Sequence, residues 1–285
     1  MQDGGGMIFG AVAPRTGGAP AAARPLSSPH RGPALDAKPM TSPFDPDRPW
    51  PPPARPWDLA MRWSNLLFLH WPIDAALLRP KIPPELALDA HSGSAWIGVV
   101  PFRMSNVRPR GLPGAPGFSA FPEANVRTYV THGGKPGVWF FSLDAASRLA
   151  VRVARARFHL PYFDARMRCI ARGDGVEYAT TRTHAGAPPA EFRARWRATG
   201  PVQLARAGTL EHFLTARFCL YAQRADGRVV RGDVDHPDWP LQVAQAEVET
   251  NTMLAAHGLA TPDGKPLAHA VEQLDVVAWK PVEVG

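Results

Sequence analysis

Between Phe121 and Tyr162 the chain reads FPEANVRTYVTHGGKPGVWFFSLDAASRLAVRVARARFHLPY, and this stretch restricts the fold more than any other. Two β-prone runs flank His132-Gly133-Gly134-Lys135, which predicts a tight hairpin. A β-strand sends successive side chains to opposite faces. The first strand therefore places Glu123, Asn125, Arg127 and Tyr129 on one face and Ala124, Val126, Thr128 and Val130 on the other. One face carries an acid, an amide, a guanidinium and a phenol; the other is small and mostly apolar. The second strand, Val138 to Leu143, is apolar on both faces. Asp144 is placed to cap the helix that follows. In that helix Leu149, Val153 and Ala156 form an apolar stripe and Arg148, Arg152 and Arg155 a basic one, before Pro161 ends it.

The flanking sequence is richer in strands than in helices. Leu66–Trp71 (LLFLHW) is a nearly all-apolar run that reads as a buried strand, with His70 inside it as a core residue or a site residue. IDAALLRP is a brief helix, and SAWIGVVPFRM is a strand. Asn106–Phe121 is a long Gly- and Pro-rich loop, the kind that is disordered or serves as a lid. Further on, strands are expected over 164–172 and 176–183, joined by Gly173-Asp174-Gly175. Another spans Glu191–Arg197, with Phe192, Ala194 and Trp196 inward. Thr209 caps a short helix, FCLYAQ and RVVRGDV pair across Asp226-Gly227, and Gln242–Thr250 and Ala270–Trp279 close the set. The fold class is therefore α+β, mainly antiparallel β, closed or nearly closed, with helices at its edges.

Composition excludes more than it selects. With 285 residues, 45% of them hydrophobic, the chain can bury one sizeable core. Residues 1–55 are rich in Pro, Ala and Gly and are expected to be a disordered extension, leaving 56–285 as a single domain. Met7 and Met40 offer alternative starts. No apolar run is long enough for a membrane span, no secretory leader is evident, and a cytoplasmic location is expected. Cys169 and Cys219 form no zinc or redox spacing, and neither a metal nor another cofactor is expected. The net charge of +7 comes without any nucleic-acid-binding motif, so a nucleic-acid partner is not expected. Nucleophile elbow, P-loop, zincin and dinucleotide fingerprints are missing.

The runs RPW, LLFLHWP, AWIGVVPF, FPEANVRTYV, GVWFFSLDA, LPY, GTLEHFL and HPDWPL together resemble the YqjF-like family. This is a bacterial domain of unknown function within the acetoacetate decarboxylase-like superfamily, and the resemblance covers about Arg55 to Val248. It implies a β-barrel or cone with flanking helices and a central cavity, and on the same grounds leaves a homo-oligomer open. The superfamily's decarboxylases use a Schiff-base lysine after the equivalent helix. Here that place reads Leu160-Pro161-Tyr162, and none of the chain's five lysines (Lys38, Lys81, Lys135, Lys265, Lys280) lies near it. Schiff-base decarboxylation is therefore not expected.

Glu123 matches a pocket glutamate of the decarboxylases. In an apolar cavity its pKa would be raised by desolvation and lowered by Arg127 nearby. The candidates are Glu123, Arg127 and Tyr162 for catalysis, with His70, Asn125 and Tyr129 orienting a ligand. Two functions stay open: a lysine-independent lyase or isomerase acting on a small carboxylic or keto acid, or a non-catalytic binding or scaffold barrel. The first needs the Glu123 face inside a cavity. The alternative placement is the wet exterior of the strand.

Overall fold

The computed structural model describes residues 48–115 and 119–284. The extension expected over 1–55 lies outside the described residues as far as residue 47. Residues 48–55 are described, and the Arg48 side chain is buried, its Nη1 donating to Asp235 Oδ1 at 2.9 Å.

The first strand, β1 (Leu59–Ile73), contains the LLFLHW run and leads into α1 (Ala75–Leu78), β2 (Ala87–Leu88) and β3 (Ala95–Pro109). Because β3 runs to Pro109, the loop expected from Asn106 is shorter, and 116–118 of it lie outside the described residues. The hairpin forms as expected: β4 (Phe121–His132) and β5 (Lys135–Ala145) meet across Gly133 and Gly134, both at positive φ. Then come α2 (Arg148–Phe158), β6 (Tyr162–Arg172), β7 (Gly175–Arg182), β8 (Glu191–Ala198), β9 (Gln203–Leu204) and α3 (Leu210–Thr215). The chain finishes with β10 (Cys219–Gln223), β11 (Val229–Asp235), β12 (Pro240–Asn251), β13 (Leu267–Ala278) and β14 (Val282–Glu283).

The strands join into one mixed, mainly antiparallel sheet that closes on itself twice. A larger circuit runs β5-β6-β7-β8-β12-β13-β1-β3-β4 and returns to β5. A smaller one leaves β5 through a parallel contact with β10, crosses β11, and rejoins at β13. Both circuits share the wall β13-β1-β3-β4-β5, and both close on the β1–β13 seam.

The alternation of that wall separates two apolar cores. Leu67, Leu69, Ile97, Val99, Ala124 and Val126 pack with Tyr178, Phe192 and Trp196 of β7 and β8. Their neighbours Leu66, Phe68, Val100, Phe102 and Phe121 pack with Leu143, Trp239 and Val276 in the second core. Burying both faces of these strands accounts for their near-continuous apolar character.

Two local expectations are corrected. Asp144 does not cap α2; it sits inside β5, and Ser147 caps the helix by accepting from the Ala150 N–H. The stripe of α2 is also rotated. Val151 is buried and Ala150, Ala154 and Phe158 pack inward, whereas Leu149 and Val153 are 53% and 47% exposed. The helix is apolar at so many positions that periodicity fits two faces equally, and the one carrying small alanines lets it approach the sheet closely. His159 ends it in the left-handed region at φ 56°.

Candidate functional site

Glu123, Asn125 and Arg127 all face the smaller circuit, where they line a cavity of about 230 Å³. The two placements left open for this face are thereby resolved in favour of the cavity. Glu123 is 2% exposed. Burial is the main influence on its carboxyl, which is pushed up to about 7 against hydrogen bonds from Tyr162 and Asn125, with Asp144 adding to the rise. Tyr162 opens β6, where the parallel pairing with β5 sets it opposite Leu143, and its hydroxyl donates to Glu123 Oε2 at 2.7 Å. Burial and the adjacent carboxyl hold that phenol well above its ordinary range, so it stays a donor.

Asn125 spends its amide N–H on Glu123 and leaves Oδ1 buried without a partner. Arg127, 8% exposed, donates from Nη2 to the Leu214 carbonyl at 3.3 Å and lies over the Phe68 ring at 5.0 Å. Its Nε has no partner, and among the described residues it has no carboxylate. Four residues of strand put it about 13 Å along the chain from Glu123. The expectation that Arg127 lowers the Glu123 pKa is therefore corrected: it is not among the influences on that carboxyl.

His70 and Tyr129 are brought together, but outside the cavity lining. Tyr129 Oη is 2.7 Å from His70 Nε2 and 2.8 Å from the Leu214 carbonyl. A phenol has one proton to give. Donating it to the carbonyl leaves the His70 Nε2–H to bond the tyrosine oxygen, while Nδ1 is buried without a partner, as suits the neutral Nε2–H tautomer. Burial, then Arg127 and His269, hold His70 well below its usual range. The ring reaches Tyr129 across Gly98, where a Cβ would stand 2.7 Å from His70 Cδ2, so glycine is required there. The pair underpins Arg127 from below, beside α3.

Several residues escape strand-by-strand reading. Arg217 lines the cavity, with Nε donating to the Phe213 carbonyl at 2.7 Å and Nη1 to Asp89 at 2.5 Å. His236 also lines it, buried against Phe218 with ring centroids 4.8 Å apart. Trp63 and Trp239 stack at 5.9 Å, and the indole N–H of each lacks a partner. Trp239, which ends the His236-Pro237-Asp238-Trp239 segment, is buried and forms part of the cavity wall. An arginine inside the otherwise apolar run FLTARFCLY was the one signal available for Arg217.

The opposite face of the same wall is arranged differently. Asp144 and Arg182, both essentially buried, form a forked pair with contacts of 2.7, 3.0 and 3.1 Å. Ser142 Oγ lies 3.0 Å from His257 Nε2.

Comparison with known proteins agrees with this architecture. Residues 60–275 match the model of the DUF2071 family, described as an uncharacterized conserved protein. The chain is 43% identical over 223 residues to the uncharacterized protein YqjF of Bacillus subtilis (strain 168), covering 78% of this chain and 91% of that one. Among solved structures, acetoacetate decarboxylase from Legionella pneumophila subsp. pneumophila superposes with a TM-score of 0.54 at 13% identity, over 83% of this chain and 93% of its own. The enduracididine biosynthesis enzyme MppR, solved with pyruvate, gives 0.58 at 12% identity, over 83% and 92%. At such identities the likeness is one of fold. No helix among the described residues is long and apolar enough to cross a membrane.

Proposed function

The chain belongs to the DUF2071 family of uncharacterized conserved proteins, and we propose that within it the smaller circuit serves as a barrel that binds a small carboxylic or keto acid and moves a proton on it through Glu123. The observation that carries this reading is the unpaired Arg127. A buried guanidinium without an anion costs several kcal/mol, so a site that keeps one is built for an anion from outside. Glu123 supplies the acid–base group: with a pKa of about 7 it is half ionised at neutral pH, the condition under which one carboxyl both takes and returns a proton efficiently.

The reaction class follows from these parts. Glu123 in its ionised form removes a proton from a carbon beside the substrate's carbonyl. The C–H electron pair delocalises onto the carbonyl oxygen to give an enolate, and the protonated Glu123 returns its proton to the same carbon from either face, or to the far carbon of a C=C bond conjugated with the enolate. No atoms are gained or lost, so the net result is an isomerisation. Tyr162 holds the Glu123 carboxyl in place through its 2.7 Å bond. No lysine lines the cavity among the described residues, so a Schiff base forms no part of the proposal. The fold neighbour bound to pyruvate supports a keto acid as the substrate type.

The test is deuterium exchange. Keto acids incubated with the protein in D2O should gain deuterium beside the carbonyl, followed by proton NMR. Exchange should vanish in Glu123→Gln, and ligand-induced thermal stabilisation should vanish in Arg127→Met. Exchange that survives in Glu123→Gln overturns the acid–base role. Stabilisation without exchange in the wild type leaves a binding barrel without catalysis.

A further inference from the structure

The cavity is larger and far more apolar than a three-carbon acid needs, and its polar groups are confined to one end. Strand register sets their order. Arg127 lies opposite Gly98, Asn125 opposite Val100, Glu123 opposite Phe102, and Phe121 opposite Met104, which in turn faces Trp63. From the floor under α3 towards α2, the lining therefore runs from guanidinium to amide to carboxyl, and beyond Glu123 it is hydrocarbon and indole. Val153 of α2 lines the cavity and is 47% exposed, so the apolar end reaches solvent there. The helix around that mouth contains four arginines and no acid; Arg152 is paired with Asp164 at 2.8 Å, and Arg148, Arg155 and Arg157 leave a basic field that attracts anions.

Size points the same way. A dry cavity of about 150 Å³ holds a benzene ring, and this one, at about 230 Å³, has room for a polar head as well. The unpartnered atoms on lining residues are mostly donors, Arg127 Nε and the two indole N–H groups, with Asn125 Oδ1 as the acceptor. That set suits a ligand rich in oxygen acceptors.

Building on the proposed acid–base reading, we infer that the ligand is an oxo acid with an apolar body of roughly six carbons or more, its carboxylate at Arg127, its oxo-bearing carbons beside Asn125 and Glu123, and its body between Trp63, Phe121 and Val153. Pyruvate would occupy only the polar end. Each methylene added to the body leaves water for the cavity and tightens binding about fourfold, until the chain passes the mouth.

The experiment is calorimetric titration of the full chain at pH 6 with straight-chain 2-oxo acids from three to twelve carbons, beside phenylpyruvate and the n-alcohols of matching length. Affinity rising about fourfold per methylene and then levelling off, with phenylpyruvate far above pyruvate and the alcohols far below the acids, is the expected result. Val153→Trp, an exposed substitution on the helix surface, should shorten the length at which the gain stops. Oxo acids that bind equally at all lengths overturn the inference and leave the acid–base reading standing. No binding by any oxo acid overturns both. Alcohols that bind as well as the acids remove the carboxylate anchor and overturn the inference, and a levelling-off point unmoved by Val153→Trp overturns the placement of the body.

Discussion

Asp144 and Arg127 lie on neighbouring strands of one wall, yet they face opposite compartments and meet opposite conditions. On the side of the larger circuit, the Asp144 charge is answered by a forked arginine, which also lies over the Phe163 ring at 4.2 Å. On the side of the smaller circuit, Arg127 has no answering carboxylate among the described residues, Glu123 is lifted to a pKa of about 7, and a cavity stands between the walls. Both compartments bury charge. Among the described residues, the buried arginine without a carboxylate is the one beside the cavity. Buried charge alone is therefore a poor marker of a site; unmatched charge beside space is a better one.

Substitutions test that contrast directly. The largest effect is expected at the matched pair. Asp144→Ala strands Arg182 in the packed core and should cost about 3–5 kcal/mol, whereas Asp144→Leu with Arg182→Met should recover most of it. At about 2–4 °C per kcal/mol for a domain of this size, calorimetry separates the two.

Glu123 comes next, and its sign is opposite to that of an ordinary salt-bridged acid. Its folded pKa of about 7 lies above the ordinary value of 4.5, so the folded state holds the proton more tightly. The stabilisation is complete below about 4.5 and is lost as pH rises through about 7. Wild type should lose roughly 3 kcal/mol across that window relative to Glu123→Gln. Parallel pH dependence in the two proteins would mean that Glu123 is solvated after all.

Gly98→Ala is expected to cost about 1–3 kcal/mol, because the new methyl collides with the His70 ring and the surrounding sheet is already filled. The smallest stability effect belongs to Arg127→Met. Removing an unmatched buried cation should leave the melting temperature unchanged or raise it by the equivalent of about 1 kcal/mol. A drop as large as that of Asp144→Ala would show that Arg127 is a structural residue and erase the contrast.

Much of this arrangement was legible in the chain. The alternation from Glu123 to Val130 assigned each residue to its face, the Gly-Gly dipeptide located the hairpin, and Phe192, Ala194 and Trp196 turned inward as their spacing required. Periodicity says that a strand has two faces but not what lies against each, so it left the Glu123 face between cavity and solvent. Partners distant in sequence were equally hidden. Asp144 looked like a helix cap because Arg182, 38 positions later, is invisible to local patterning. Arg217 and His236 reach the cavity only because β10 and β11 complete the smaller circuit, a closure that no local signal specifies.

The seam between β1 and β13 has a consequence in time. Both circuits close there, and it joins the first of the described strands to one of the last. About 200 residues separate them, so at roughly 5–20 residues per second β1 waits some ten to forty seconds for its partner. Through that interval Leu66, Leu67, Phe68 and Leu69 lie along an open strand edge, the kind of surface that recruits chaperones or other nascent chains. A chain released before β13 is made has neither compartment closed.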